Sequence, residues 1–319
     1  MIEISNVTKV YKNGGLFKKK SHTEGVSNLN LSIGKGAYGL LGINGAGKTT
    51  TLKMIATLLR PTSGSISIDG LDSVIHEKEV RGLINMITGS DRMLYFRLTG
   101  RENLHYFSSL YGMNYRETRK RCDYLLDLTG LTDNADKRVE EYSRGMKQRL
   151  AIARGLINDP SILLLDEPTL GLDVSIAAEI RAFIKNVLLK DDSRTIILTS
   201  HYMNEIEDIC NSIGILQEGR LIYNGNFSGL YDKLGMEEIH RFSLPDDKEQ
   251  IREEIEALLD FEPNWSAGPD GGLQFTLEKL DGYQFLKKMD SLSLVGLNYS
   301  QEKPGLEDAV IRLNQKVCI

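Results

Sequence analysis

Nine residues, Gly42-Ile43-Asn44-Gly45-Ala46-Gly47-Lys48-Thr49-Thr50, constrain this chain more than any others. They fit the pattern Gly, four residues, Gly, Lys, then Ser or Thr. An apolar run, Ala37 to Leu41, precedes them and reads as a short buried strand. Leu52, Ile55, Ala56 and Leu59 follow at the spacing of a helix face, and Pro61 stops that helix. The glycines let the backbone turn tightly, so that successive N–H groups cradle phosphate oxygens. A helix opening at the same place adds the positive end of its dipole. Lys48 reaches the outer phosphates and the Thr49 hydroxyl offers a ligand to Mg²⁺. The stretch therefore predicts an α/β protein that binds nucleotide through Gly42, Asn44, Gly45, Ala46, Gly47, Lys48, Thr49 and Thr50.

Length and composition bound the rest. A chain of 319 residues suggests two domains, and 41% hydrophobic residues supply a sizeable core. A net charge of −5 gives no general pull toward nucleic acid, so no nucleic-acid partner is expected. Lys18-Lys19-Lys20 is the one compact basic run and is expected to sit solvated in a loop. Cys122, Cys210 and Cys318 are far apart, without metal-ligand or disulfide spacing, which suits a reducing cytosol. Met1-Ile2-Glu3 does not open a secretory signal, and no apolar run approaches the roughly 18 residues of a membrane helix. If the chain works at a membrane, another chain must cross it.

In order, strands are expected at Ile2–Ile4, Val7–Tyr11, Val26–Ile33 and Ala37–Leu41, with a loop over Lys12–Glu24. An edge strand over Ser65–Asp69 and a short strand over Leu83–Thr88 follow, then helices Asn103–Gly112 and Arg116–Thr129. Glu141–Leu156 reads as a polar turn and a helix, Ser161–Leu165 as a strand, and Ile176–Leu189 as an amphipathic helix. Strand Arg194–Thr199 and a hairpin, Ile213–Gln217 with Arg220–Tyr223, complete a first domain over residues 1–225. Residues 226–237 read as a linker. Residues 238–319 read as an α+β accessory module in β-α-β-β-α-β order, suited to a ferredoxin-like arrangement, with no catalytic constellation.

The second half supplies the chemistry that a phosphate loop alone lacks. Ile162-Leu163-Leu164-Leu165-Asp166-Glu167 is an apolar strand delivering two acids at its C-terminal end, where α/β sheets bind ligands. Asp166 is placed to hold Mg²⁺ and Glu167 to polarise an attacking water. Tyr142-Ser143-Arg144-Gly145-Met146-Lys147-Gln148-Arg149 and Leu170-Gly171-Leu172-Asp173 flank this strand in sequence, and His201 stands one residue past an apolar strand.

Taken together, residues 2–225 resemble the ATP-binding subunits of ABC transporters. Gly42–Thr49 resembles the family's Walker A loop and Ile162–Glu167 its Walker B strand. Ser143, Arg144, Gly145 and Met146 resemble its signature segment, with Arg144 and Met146 in place of the commoner Gly and Gln. Asp173 resembles the D-loop acid, His201 the switch histidine and Tyr11 the aromatic that stacks on adenine. The resemblance implies ATP and Mg²⁺ as ligands, and a head-to-tail dimer of this chain with itself or a related subunit. ATP would then lie between Walker A of one chain and the Ser143 segment of the other. It implies Glu167, His201 and Lys48 as catalytic residues, Thr49 and Asp166 as metal ligands, and Asp173 as a tie between the two sites.

The chain is further similar to the drug-exporter and polysaccharide-exporter branch, where the permease is a separate polypeptide. That implies an ATPase on the cytoplasmic face of the membrane, powering export. The alternatives are a soluble ABC-type protein acting on nucleic acid or ribosomes, and a regulatory subunit with weak hydrolysis. One departure bears on the second: after strand Leu83–Thr88 the family usually places a glutamine that contacts Mg²⁺ or water, and this chain has Gly89-Ser90.

Overall fold

Apolar runs that leave no face for water must be covered on both sides, and Gly36–Leu41, Ile162–Asp166 and Thr195–Thr199 are such runs. In the computed structural model, which describes residues 1–13, 21–89, 94–190, 194–244, 249–259, 261–267, 272–289 and 297–317, they are parallel neighbours. The chain forms two compact units, Met1–Asn226 and Phe227–Ile319.

The first unit begins with β1 (Ile2–Asn13) and β2 (Ser21–Ile33), an antiparallel pair longer at both inner ends than the sequence suggests. Lys12 and Asn13 are strand because they pair with His22 and Ser21, and Thr23 and Glu24 because they pair with Tyr11 and Val10; residues 14–20, with the lysine run, lie outside the described residues. Next come β3 (Gly36–Leu41), α1 (Lys48–Ile55), β4 (Ser63–Ile68), β5 (Leu71–Asp72), α2 (Glu77–Leu83) and β6 (Ile84–Thr88). β4 is not an edge, since β5 pairs along it in the order β2-β1-β4-β5. Helix α1 stops at Ile55, four residues earlier than expected from its apolar spacing: Thr57 turns left-handed with φ 58°.

Two capping boxes start the next helices. Thr99 and Glu102 exchange side-chain-to-backbone hydrogen bonds at 3.1 and 2.8 Å ahead of α3 (Gly100–Leu110). Asn114 and Glu117 do so at 3.0 and 3.1 Å ahead of α4 (Tyr115–Leu128). Then follow α5 (Arg144–Gly155), β7 (Ile162–Asp166), α6 (Val174–Phe183) with a π turn over Ile184–Leu188, β8 (Thr195–Thr199), α7 (Met203–Ile209), β9 (Ser212–Gln217) and β10 (Arg220–Gly225).

The main sheet runs β10-β9-β3-β8-β7-β6, parallel throughout except for the β9–β10 hairpin. Its apolar core joins the antiparallel sheet through α1: Ile2, Val7, Leu29, Leu52, Ile55, Ile66, Leu164 and Ile197 are all buried in one cluster. Each such side chain stabilises the fold by about 1.5–3 kcal/mol relative to exposure. Tyr38, Ile197 and Leu164 lie on one rung of the parallel strands. Leu41, Ser200 and Glu167 each stand three residues further on, so the loops that follow leave the same sheet edge.

The second unit opens with α8 (Phe227–Leu234), a helix within the stretch expected as linker, with Leu230 and Leu234 buried. It continues β11 (Ile239–Leu244), α9 (Glu249–Leu259), β12 (Trp265–Ala267), β13 (Leu273–Glu278), α10 (Lys279–Met289), β14 (Asn298–Glu302) and α11 (Leu306–Val317). The strands form an antiparallel sheet in the order β12-β13-β11-β14. Along β11 His240, Phe242 and Leu244 alternate inward; Phe242 and Leu244 join Phe275, Leu277, Ile255 and Phe285 in one cluster, and His240 packs on Tyr283 and Tyr299. The glycine-rich stretch Gly268–Gly272, which reads as a turn from its sequence, lies outside the described residues apart from Gly272.

Candidate nucleotide-binding and hydrolysis site

The loop between β3 and α1 is built on glycines that admit no side chain. A Cβ at Gly47, where φ is 105°, would meet the Gly25 carbonyl oxygen at 2.6 Å; one at Gly42 would meet the Leu216 carbonyl oxygen at 2.4 Å. Gly47 caps α1, so the helix opens at Lys48, within the loop motif itself. Lys48 is buried and its Nζ donates to the carbonyl oxygens of Gly42 and Ile43 at 2.5 and 3.2 Å. Burial pulls its ammonium below the ordinary lysine range, and the carboxylates of Glu167 and Asp166 oppose that shift.

A cleft of about 300 Å³ lies over this loop, lined by Tyr11, Thr23, Glu24, Gly25, residues 44–50 and Glu167. The Tyr11 hydroxyl is 3.1 Å from Thr50 Oγ1, and Lys9 Nζ stands 5.8 Å from the ring centroid. Gly25 makes room for that ring, since a Cβ there would come within 2.6 Å of it. Thr23 and Glu24 fall in the stretch expected as loop and Gly25 between that loop and the strand expected from Val26, so the sequence reading does not single them out; a glycine just before the apolar Val26 is the available signal.

The acids arrive from the neighbouring strand end. Thr49 Oγ1 donates to Asp166 Oδ1 and Oδ2 at 3.2 and 3.1 Å, so a hydroxyl and a carboxylate converge at the mouth of the loop. These hard oxygen donors beside a phosphate cradle fit Mg²⁺. Thr199, level with Asp166 on β8, was not singled out from sequence. Its hydroxyl donates to Asp166 Oδ1 at 2.7 Å and accepts from the Glu167 N–H at 3.1 Å. Glu167 is left-handed, with φ 53°, a conformation costing about 1–2 kcal/mol for a residue with a side chain. The turn carries its carboxylate to His201, whose Nε2 is 2.7 Å from Oε1.

Gly89 is explained by the same turn. Its N–H donates to the Asp166 carbonyl at 3.0 Å, and a Cβ would strike the Glu167 carbonyl oxygen at 2.1 Å. No longer side chain fits at 89. Ser90 lies outside the described residues.

The remaining predicted residues gather elsewhere. Ser143 caps α5, its Oγ accepting from the Met146 N–H at 3.2 Å, which leaves the hydroxyl proton to donate. Arg144 Nη1 donates to the Gly171 carbonyl at 3.2 Å, and Gly145 is closed over by Ile176 of α6. Asp173 caps α6 with its backbone; its exposed side chain makes no capping bond. Thus Ser143–Met146 and Asp173 form one neighbourhood, and none of them lines the cleft over the phosphate loop.

A sequence model of the ABC transporter family matches residues 26–170. The chain is 43% identical over 223 residues to the ABC transporter ATP-binding protein NatA of Bacillus subtilis (strain 168), covering 70% of this chain and 90% of that protein. It is 37% identical over 256 residues to the daunorubicin/doxorubicin resistance ATP-binding protein DrrA of Streptomyces peucetius, covering 80% and 76%. Its fold is similar, with a TM-score of 0.61 and 29% identity, to a dimeric post-hydrolysis state of the ATP-binding cassette MJ0796 bound to ADP and Pi, over 71% of this chain and 98% of that one. With the phosphate loop, the paired acids and the histidine at one sheet edge, the chain belongs to the ATP-binding subunits of ABC transporters, and it is an ATPase.

Proposed function

We propose that two copies of this chain, or one copy and a related subunit, close head to tail on ATP and Mg²⁺ and power a separate transmembrane permease from the cytoplasmic face of the membrane. One observation carries the reading: the residues for binding phosphate and those of the signature segment occupy separate neighbourhoods of one unit. A second chain turned end for end brings the missing half to each site. The dimeric neighbour supports this arrangement.

In that assembly Tyr11 stacks on adenine, and the N–H groups of Gly45 to Thr50 with Lys48 hold the phosphates. Thr49 and Asp166 would hold Mg²⁺, which withdraws charge from the phosphates when bound. Glu167 orients the water and takes its proton as the oxygen attacks the γ-phosphorus and ADP leaves. His201 stabilises the charge that develops on the γ-phosphate, and its contact with Oε1 keeps the Glu167 side chain in place. From the partner, Ser143 and the Gly145 N–H at the start of α5 donate to the same phosphate. No helix among the described residues is long and apolar enough to cross a membrane, and in this reading the membrane path is the permease's. Export is the direction supported by a relative named for drug resistance.

The test is to purify the chain from membranes with its partner and measure phosphate release with and without it. The reading expects a co-purifying permease that accelerates hydrolysis. Full activity with no membrane protein bound, in a chain recovered only from the soluble fraction, would contradict it.

A further inference from the structure

Glu205 of α7 is 2% exposed, yet it carries a carboxylate. Its oxygens accept from three donors on three separate segments. Oε2 receives the Ser200 hydroxyl at 2.6 Å and the Thr169 hydroxyl at 2.8 Å; Oε1 receives Arg181 Nη1 at 3.1 Å. Buried carboxylates persist when paired and fully hydrogen-bonded, and here the guanidinium supplies the charge.

The positions of the donors give the arrangement its meaning. Ser200 immediately precedes His201, and Thr169 stands two residues after Glu167. Arg181 lies on α6, the helix that Asp173 caps. Ser200 and Thr169 are each 3% exposed, so water offers their hydroxyls no alternative. The Ser200 hydroxyl also accepts the Tyr202 N–H at 3.0 Å, which holds the chain on the far side of His201. The Thr169 carbonyl accepts the Leu172 N–H at 3.1 Å, which holds the turn leading to Asp173.

We propose that Glu205 is a positioning residue for hydrolysis. Through Ser200 and Thr169 it sets His201 against Glu167, and through Arg181 it ties that pair to the helix bearing Asp173. The inference rests on the catalytic pairing of Glu167 and His201 proposed above. Glu205 does not line the nucleotide cleft, so it acts on turnover rather than on binding. Only a carboxylate serves all three donors. In Glu205→Gln the amide N–H₂ must face either the Arg181 guanidinium, donor against donor, or the two hydroxyls.

The experiment is steady-state phosphate release and MgATP titration on the full chain carrying Glu205→Gln, Ser200→Ala or Thr169→Val. Misplacement of reacting groups by about 1 Å costs up to ~10²-fold, so Glu205→Gln is expected to lower kcat by about ten- to a hundredfold. Each hydroxyl variant, keeping the Arg181 pair, is expected to lower kcat by roughly three- to tenfold, with KM for MgATP within about twofold of the parent. In a His201→Ala background Glu205→Gln should add less than about threefold, because residues acting as a unit are non-additive. A parental kcat in folded Glu205→Gln, an equal loss in both backgrounds, or a raised KM with unchanged kcat would each overturn the proposal. Should Glu205→Gln not fold, the hydroxyl variants decide it, and parental kcat in both overturns it. Rapid turnover by Glu167→Gln would instead remove the catalytic pairing itself. Slow Glu167→Gln beside parental rates in the Glu205, Ser200 and Thr169 variants would sink this inference alone.

Discussion

In Met1–Asn226 the buried side chains include Lys48, Gln148, Arg154, Thr199, Ser200 and Glu205, whereas the core of Phe227–Ile319 is Phe242, Leu244, Ile255, Phe275, Leu277 and Phe285, with His240 its one buried polar side chain among the described residues. Backbone strain divides the same way. Glu167 and Thr57 are left-handed in the first unit, and the described left-handed residue of the second is a glycine, Gly235. A buried charge costs several kcal/mol unless it is paired, and a left-handed glutamate costs about 1–2 kcal/mol more. An aromatic core carries neither cost, and its offset and edge-to-face ring pairs add about 0.5–1.5 kcal/mol each. The first unit thus holds groups that are expensive to bury, and Lys48, Thr199, Ser200 and Glu205 among them lie around the loops that leave β3, β7 and β8. The second buries an apolar, largely aromatic core among its described residues, with none of these costs beyond His240.

The largest effect expected from this contrast is at Glu167. Glu167→Gln should leave ATP affinity near the parent value and lower turnover by ~10²–10⁴, or roughly 3–5 kcal/mol of barrier. Phosphate release and nucleotide titration check it; turnover at the parental rate would remove the carboxylate from its role. In the second unit, Phe242→Ala should destabilise the module by about 3–5 kcal/mol through the cavity it leaves. Thermal unfolding should show that loss while ATP affinity stays unchanged. A parallel fall in ATP affinity would show that the two units are not independent.

Much of this contrast is legible in the sequence, for physical reasons that differ between the units. Gly42–Thr50 and Ile162–Glu167 announce their places because the chemistry demands those residues at those spacings. Thr199, Thr169, Ser200 and Glu205 announce nothing, since a hydroxyl or a buried acid gains meaning only from the strands that bring it alongside another. The second unit's strands are legible through the two-residue alternation of β11, yet α8 is not, because a helix of 8 residues carries little periodic signal. The capping signals Thr99-x-x-Glu102 and Asn114-x-x-Glu117 were present and mark the true starts of α3 and α4 better than apolar spacing does.

Two smaller effects sharpen the picture of the cleft. Tyr11→Ala should weaken ATP binding by about 1–3 kcal/mol, the worth of stacking a base on an aromatic ring. The loss should vanish for inorganic triphosphate, which has no base; an equal loss for both would assign Tyr11 to packing. The smallest effect concerns the strand end after Thr88, where Gly89 has no room for a side chain and the sequence continues with Ser90 where the family resemblance implies a glutamine. On the proposal that Asp166 and Thr49 hold Mg²⁺, the chain alone should hydrolyse ATP slowly rather than not at all. Ser90→Gln should raise basal phosphate release by a few-fold, since a carboxamide side chain reaches farther than a hydroxyl and both donates and accepts. An unchanged or lower rate in the folded variant would mean that this loop is organised differently here.

The separation of the phosphate loop from the Ser143 and Asp173 neighbourhood is the claim on which the rest depends, and it has a direct test. Purified Glu167→Gln chain, studied by light scattering, should be largely monomeric with ADP and become a stable dimer with ATP and Mg²⁺. Adding Ser143→Arg, which sets a large cation where the partner's hydroxyl would approach, should abolish that dimer while a single chain still binds ATP. A chain that stays monomeric with ATP, or a dimer indifferent to Ser143→Arg, would contradict the account.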